Sequence, residues 1–267
     1  MSSSLLGLPI IIVCALLFIG LERRFPYDRN QALFREGFWV DLLGYGVVQS
    51  YLLGLVIAGL IERVDAATGW SRRSLVGGWP WAVQCFVFFL IHDLYIYAFH
   101  RLQHSNKYLW RIHEAHHSGE AVDWLSGTRS HALEILINQT VEFAPIVLLG
   151  AAPEVAVFKG VVDAVWGMYI HSNIATRHGV FGYVFNGPQM HRVHHARVFI
   201  GVGQNFATKL AIWDWLFGTA HLPPEKPAQY GLANDDDYPS GFVAQQVHAF
   251  RSFKPTAKPA TTASPNA

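Results

Sequence analysis

The stretch WPWAVQCFVFFLIHDLYIYAFHRLQHSNKYLWRIHEAHH, residues 79–117, decides how this chain folds. Its first half, residues 79–99, is almost entirely apolar, and its second half contains five histidines. A helix needs roughly 20 apolar residues to cross the hydrocarbon core of a membrane. The stretch therefore predicts a membrane helix that leads directly into a histidine-rich segment.

Four further apolar runs have about the length of a membrane helix. Residues 5–21 contain no charge, and residues 38–61 contain one. Residues 132–152 and 155–176 contain a few acidic side chains and are separated by Pro153, which suits a tight helical hairpin. We expect an all-α integral membrane bundle of about four to five membrane helices, in which this hairpin either crosses the membrane fully or is re-entrant.

The composition supports a membrane protein and excludes several other classes. Hydrophobic residues make up 51% of the 267-residue chain and charged residues only 15%, so the chain is too apolar to be disordered. Its two cysteines, Cys14 and Cys85, both lie in apolar runs and form no disulfide framework. A net charge of +1 provides no basic surface for nucleic acid.

The distribution of arginines predicts the orientation of the bundle. The 22–37 segment contains four arginines, and positively charged loops stay on the cytoplasmic side. Alternate crossings then place the chain from His100 onward in the cytoplasm. The first run could instead be a cleaved signal peptide, but no positive segment precedes it.

Three short motifs contain histidines at the spacing of metal ligands. HRLQH has two, HEAHH three and HRVHH three. Positions i and i+3 or i+4 share one face of a helix, so each motif can direct its imidazoles at one point. These eight residues are His100, His104, His113, His116, His117, His191, His194 and His195.

Eight imidazoles exceed what one ion binds, so we expect a di-metal site in a cytoplasmic, histidine-rich helical cap. Imidazole suits iron, zinc and copper, and the absence of cysteine from the motifs excludes iron–sulfur and zinc-finger sites. A ferritin-like carboxylate site is disfavoured because paired Glu-x-x-His motifs are missing. If its segment is helical, Glu114 points away from His113 and His117.

The sequence around these motifs resembles the fatty acid hydroxylase / sterol desaturase superfamily. The similar stretches are residues 93–117 and GPQMHRVHH, residues 187–195, followed by IWDWLFGT, residues 212–219. The resemblance implies membrane-bound di-iron enzymes that oxidise lipids with O₂. It makes the eight motif histidines metal ligands, adds His171 from the HSN segment as a ninth, and adds His131 as a weaker candidate.

The resemblance also implies a cofactor, partners and a cellular location. The expected cofactor is two iron ions, and the expected reaction is hydroxylation or desaturation of a lipid such as a fatty acyl chain or a sterol. No haem motif or GxGxxG fingerprint is present, so electrons are expected from a separate protein. The expected location is a bacterial inner membrane, crossed several times, with the histidines facing the cytoplasm. The sequence gives no prediction of oligomeric state.

We expect three regions: N-terminal membrane helices in residues 1–78, a catalytic domain in residues 79–221, and a loop and disordered tail in residues 222–267. Asp93 lies seven residues before His100, on the same helical face, and is expected to orient a ligand without binding metal itself. Isolated histidines, namely His92, His221 and His248, are expected to be ordinary interfacial residues.

Two other functions remain open from the sequence. A membrane zinc metallohydrolase would use a motif such as HExxH; HEAHH, residues 113–117, has this spacing, but it is accompanied by too many other histidines for such a site. A transporter or a non-catalytic metal-binding membrane protein would place its site near the middle of the bilayer, whereas the three motifs lie at helix ends.

Overall fold

The computed structural model describes residues 4–177, 179–198, 203–223, 225–233 and 237–252. Within these ranges the regular structure is helical, and pairing between extended segments is limited to two isolated bridges, Pro26 with Ile174 and Ala196 with Tyr230. The prediction of an all-α chain is confirmed for this part of the molecule.

The described residues form nine α-helices and one long π-helical segment. The π segment, Val40–Gln49, continues without a break into α2, so the two form one rod. The helices are α1 Ser4–Arg24, α2 Ser50–Thr68, α3 Trp81–Ser105, α4 Lys107–His117, α5 Ala132–Leu148, α6 Pro153–His171, α7 Pro188–His194, α8 Ile212–Leu216 and α9 Phe242–His248.

Two of these rods are long and apolar enough to cross a membrane. They are Val40–Thr68, with 29 residues, and Trp81–Ser105, with 25. Most of the first rod is exposed, including Leu52 and Leu55 at 53% and 57%. Large apolar side chains exposed along a whole helix fit a surrounding of lipid. The structure thus supports a membrane bundle, while the expected four to five crossings stay a prediction.

Helices α5 and α6 form the predicted hairpin, and Pro153 is the first residue of α6. The tip of the hairpin lies beside the start of α3, since Ala152 N donates to Gln84 Oε1 over 2.9 Å. Val76, in the connection from α2 to α3, donates its backbone N–H to Leu149 O at the same tip. The hairpin therefore extends along nearly the whole length of α3.

The opposite end of the bundle is held together by buried polar contacts. Glu22, near the end of α1, accepts hydrogen bonds from the backbone N–H of Trp124 and of Asn173, at 2.7 and 2.8 Å. Arg35 pairs with Asp123 and with Asp41 of the π segment. The ends of α1, α3 and α6 and the start of α5 consequently lie on one side of the molecule.

The C-terminal region contains a helix that the sequence analysis missed. We predicted a loop and a disordered tail for residues 222–267, but α9 packs against the π segment. Its Gln245 accepts a 2.6 Å hydrogen bond from Tyr45 Oη, and Phe242 lies so close to Gly44 that a Cβ there would approach its ring to 2.9 Å. Residues 222–241 contain no regular helix where they are described, and the predicted tail, residues 254–267, lies outside the described residues.

Candidate metal centre

The structure brings nine histidines from four helices and their ends into two adjacent groups. Within each group, the ring nitrogens that could bind a metal lie within 4.8 Å of one another. The first group is His100, His104, His113, His117 and His194, and the second is His116, His171, His191 and His195. These are the eight motif histidines and His171.

Helix ends place these side chains. His100 and His104 lie in the last two turns of α3, and the chain reverses at Asn106, which caps α4 by accepting the backbone N–H of Tyr108 and Leu109. Helix α4 then presents its HEAHH motif back toward α3. Two neighbouring histidines of α4 belong to different groups: His117 lies in the first and His116 in the second.

Five of the nine rings are oriented by an acceptor at Nδ1. Four acceptors are backbone carbonyls: Phe206 O for His100, Gln204 O for His194, Arg129 O for His116 and Gly167 O for His171, at 2.7–2.9 Å. The fifth acceptor is Glu134 Oε1, 2.9 Å from His113 Nδ1. An Nδ1–H donor leaves the lone pair on Nε2, which is the arrangement found in metal-binding histidines.

The Nε2 atoms of neighbouring rings face one another at short distances. His116 and His171 both donate from Nδ1, so their Nε2 lone pairs point at each other across 3.3 Å. Other Nε2 pairs are separated by 2.8–3.1 Å. Two ligands of one ion, with bonds of about 2.1 Å, have roughly this separation. The nine residues therefore fit two metal ions.

Burial keeps these rings neutral. His100 and His113 have buried Nε2 atoms with no hydrogen-bond partner in the protein. Burial, followed by the neighbouring histidines, holds the pKa of His117 well below its usual range. Burial likewise lowers the pKa of His113, His116, His191, His194 and His195. Neutral imidazole is the form that binds metals.

The other predicted site residues lie outside the two groups. His131 caps α5 by accepting the N–H of Leu133 at 3.1 Å and contacts Gln246 O at 2.9 Å through its other nitrogen. Glu114 pairs with Arg111 at 3.0 Å and is directed away from the histidines, as expected.

Asp93 forms hydrogen bonds with the segment after α7 and not with a histidine ring. It is fully buried and accepts hydrogen bonds from Leu210 N at 3.0 Å and Trp213 Nε1 at 2.9 Å. Asp214 similarly accepts from Phe206 N at 2.8 Å. Together they fix the segment whose carbonyls orient His100 and His194, so the link from Asp93 to a ligand passes through the backbone.

A cavity of about 200 Å³ extends from the histidines into the middle of the bundle, between α3, α5 and α6. Its far end holds a buried ion cluster that the sequence analysis did not foresee. Lys159, which is 1% exposed, donates to Glu142 at 3.0 Å and to His92 at 2.9 Å, and it also pairs with Asp163. Lys209 approaches Asp163 to 3.1 Å.

His92 is therefore a buried member of this cluster, and the expectation of an interfacial residue was wrong. One regular spacing in the sequence relates the cluster to the metal centre. Three pairs, each eight residues apart, connect the two ends of the cavity: His92 with His100, Glu134 with Glu142, and Asp163 with His171. Eight residues are just over two helical turns, or about 12 Å, so each pair lies on one helix face.

A helical bundle with two apolar rods of membrane length, and with two groups of buried histidines that could hold metal ions at one end, is typical of a class of membrane metalloproteins. The family model described as fatty acid hydroxylase matches residues 85–219, and the chain belongs to this family. Members of the family are membrane proteins that oxidise lipids. This chain is likewise an oxidoreductase that acts on lipids.

Three relatives illustrate the match. The ornithine lipid hydroxylase of Rhizobium tropici is 34% identical over 92% of this chain and 76% of its own length. The human alkylglycerol monooxygenase is 31% identical over 58% of this chain and 34% of its own length. The methylsterol monooxygenase 1 of Rattus norvegicus is 26% identical over 82% of this chain and 75% of its own length. No solved structure matches the chain.

Proposed function

We propose that this protein is a di-iron lipid hydroxylase that uses O₂ and electrons from a separate donor protein. The observation that carries the proposal is the pair of histidine groups, five and four residues, at the end of one cavity. Imidazole ligands suit iron, and a redox metal is what O₂ chemistry on a C–H bond requires. Zinc would supply only Lewis-acid chemistry.

The two metals would supply the oxidant, and the chain supplies their ligands and their surroundings. In hydroxylation, one O₂, two electrons and two protons convert a C–H bond to C–OH, and the second oxygen atom leaves as water. Desaturation would remove two hydrogens from the same substrate instead. The relatives' names, hydroxylase and monooxygenase, support the first reaction.

The protein's own contribution is orientation and the exclusion of water. Carbonyls of residues 204 and 206 hold His194 and His100, and Glu134 holds His113. Trp110 covers His104 and His117 with its ring, at centroid distances of 4.9 and 5.3 Å. The cavity is then the proposed route by which a substrate group reaches the metal centre, since five of the nine histidines line it: His100, His113, His116, His171 and His191.

We also propose that α5 and α6 cross the membrane fully and that the histidines face the cytoplasm. Because the hairpin tip lies beside Gln84, near the start of α3, the hairpin has about the same height as this candidate membrane helix. The arginine-containing 22–37 segment lies on the same side as the histidines, since Arg35 pairs with Asp123 close to α4. The positive-inside rule then makes that side cytoplasmic.

The substrate is proposed to be a polar lipid drawn from the bilayer. The relative with the greatest overlap among those reported acts, by its name, on ornithine lipid, and the match covers 92% of this chain. This favours an acylated amino-acid lipid over the fatty acid or sterol that the sequence analysis considered.

Metal content and turnover test the proposal together. The protein purified with its metals is expected to hold about two iron ions and to add one oxygen atom to a lipid, seen as a mass increase of about 16. His117→Ala and His195→Ala remove one ligand from each group and are expected to lower the iron content and abolish hydroxylation. His221→Ala is the control, since His221 lies outside both groups.

Other results would support the other two classes. Zinc in place of iron, with O₂-independent hydrolysis, would indicate a metallohydrolase. Metal uptake into vesicles that survives His117→Ala but fails after Glu142→Ala would indicate a transporter. Full hydroxylation by either histidine variant would contradict the assignment of these ligands.

A further inference from the structure

A second cavity lies on another face of α5 from the cavity that reaches the histidines. This α9 groove has a volume of about 570 Å³ and is bordered by the rod of the π segment and α2, by the start of α5 and by α9. Glu134 and Asn138 of α5 border the first cavity, whereas Leu133 and Leu136 border the groove. Positions one or two apart lie on different faces of a helix, so α5 separates the groove from the metal centre.

The lining of the α9 groove is apolar and continues the surface that the rod exposes. Val48 and Leu52 of the rod are exposed, and so are Val247 and Phe250 on the opposite wall. Among the described residues that border the groove there is no aspartate, glutamate, lysine or arginine. Its volume and apolar lining are typical of ligand sites, which measure about 300–1,000 Å³. The groove thus suits a hydrocarbon chain and offers no partner to a charged head group.

Two glutamine amides border the groove, and each has one atom without a partner. Gln49 Nε2 donates to Ser130 O at 2.8 Å, and Gln246 Oε1 accepts from Ala132 N at 2.8 Å. These bonds orient both amides and leave Gln49 Oε1 and Gln246 Nε2 buried without a hydrogen bond. Gln49 as a whole is only 5% exposed. A buried polar atom without a partner is costly, which points to a ligand that satisfies it.

The groove holds no group that would oxidise its ligand. None of the nine histidines of the metal centre borders it. His131 does, but both of its nitrogens are engaged, since Nδ1 accepts from Leu133 N and Nε2 then donates to Gln246 O. A molecule in the groove is therefore bound apart from the reaction.

The two unpartnered atoms are an acceptor and a donor, and one uncharged group can satisfy both. A hydroxyl or a secondary amide donates and accepts, whereas an ether only accepts. We propose that the α9 groove is a second lipid site, which binds a neutral lipid whose hydrocarbon chain begins at a hydroxyl or a secondary amide. The polar group meets Gln49 and Gln246, and the chain packs against α2, α5 and α9. This site is independent of the proposed function.

Lipid suits the groove better than the rest of this chain does. The groove opens on a rod that is long and apolar enough to cross a membrane, where lipid is the surrounding molecule. The chain continues beyond α9, but residues 254–267 contain no large apolar side chain that would fill an apolar groove.

Photolabelling of the full chain in phosphatidylcholine nanodiscs tests the site. The probe is 1-hexadecanol with a diazirine in the middle of its chain, and the labelled peptides are expected to come from α2, the start of α5 and α9. Leu52→Trp fills the groove from an exposed position and is expected to abolish this labelling. Leu55→Trp is the matched control, since Leu55 is exposed on the same rod and does not border the groove. Equal labelling of the two variants would overturn the proposal.

Unlabelled competitors test the two amides. Hexadecanol and methyl hexadecyl ether share one chain, but only the alcohol donates a hydrogen bond. One neutral hydrogen bond corresponds to about fivefold in affinity, so the alcohol is expected to compete about fivefold more strongly. Gln49→Met removes the acceptor at similar length and is expected to make the two competitors equal. Equal competition in the unaltered protein would show that water satisfies the amides, and it would refute a lipid-specific site.

Two further measurements separate this site from other occupants and from the active site. N-methylpalmitamide is the secondary-amide competitor, and whichever of it and hexadecanol competes more strongly identifies the lipid class. Labelling is expected to persist in His117→Ala, because no metal ligand candidate borders the groove; its loss there would place the probe in the active site instead. Crosslinks between two copies at Val247, without lipid labelling, would make the groove a protein interface and likewise contradict the proposal.

Discussion

At the scale of single residues, the second nitrogen of each histidine decides how the metal centre is built. Four of the oriented rings donate to backbone carbonyls, which no side-chain substitution removes. His113 differs because its partner is the carboxylate of Glu134. Partners of this kind fix the ring and raise its basicity as a ligand.

Glu134→Ala is therefore expected to weaken metal binding about 10- to 100-fold, since His113 loses its acceptor. Glu134→Gln keeps a neutral acceptor and is expected to have a smaller effect. Iron titration of the metal-free protein measures both. Glu154→Ala is the control, because Glu154 is exposed in the first turn of α6. Equal affinity of Glu134→Ala and the control would show that the carboxylate does not support His113.

At the scale of elements, the π segment binds the loop that follows α4 through buried polar side chains. Its residues Asp41, Tyr45 and Gln49 are four apart, and all three are buried. Asp41 is the single charge in its apolar run, and it binds Arg35 at 2.7 Å and Arg129 at 2.7 Å. The carbonyl of Arg129 in turn accepts from His116, so this network reaches the metal centre.

Asp41→Asn is expected to destabilise the protein by about 3 kcal/mol, because two buried arginines lose their shared carboxylate. The matched control is Glu36→Gln, at an exposed position shortly before the π segment. Thermal melting in detergent is expected to show a fall of about 6–12 °C for the variant and little change for the control. A melting temperature unchanged by Asp41→Asn would mean that the network does not contribute to stability.

At the scale of the whole molecule, the two metals would hold together parts of the chain far apart in sequence. The groups join the ends of α3 and α6 to α4 and α7. Binding to the folded state alone stabilises it by mass action.

Removal of the metals with a chelator is thus expected to lower the melting temperature. The free energy of unfolding is expected to fall by about 2.7 kcal/mol if the metal was present at 100 times its dissociation constant. Scanning calorimetry before and after chelation measures the change, and added iron should reverse it. His195→Ala, which loses a ligand of the second group, is expected to respond less to the chelator. A chelator effect of equal size in that variant would argue against His195 as a ligand.

The helices and the histidine set were accessible from the sequence because each rests on a local pattern. The apolar runs predicted α1, α2 and α3, and Pro153 predicted the hairpin of α5 and α6. The i, i+3, i+4 spacing predicted that the histidines of each motif act together. Helix α9 was missed because its seven residues are too few for a periodic signal. His92 was misjudged because a lone histidine in an apolar run carries no sign of a partner 67 residues away.

The sequence by itself determined that the chain is helical and apolar and that its histidines can act in groups, because helix periodicity and hydropathy depend on near neighbours. Only the tertiary structure decided how the nine histidines divide into five and four, since members of one motif on α4 join different groups. It also decided that Glu142, Lys159 and Asp163 form one ion cluster with His92. Such contacts arise from the packing of α3, α5 and α6 against one another, which no local pattern specifies.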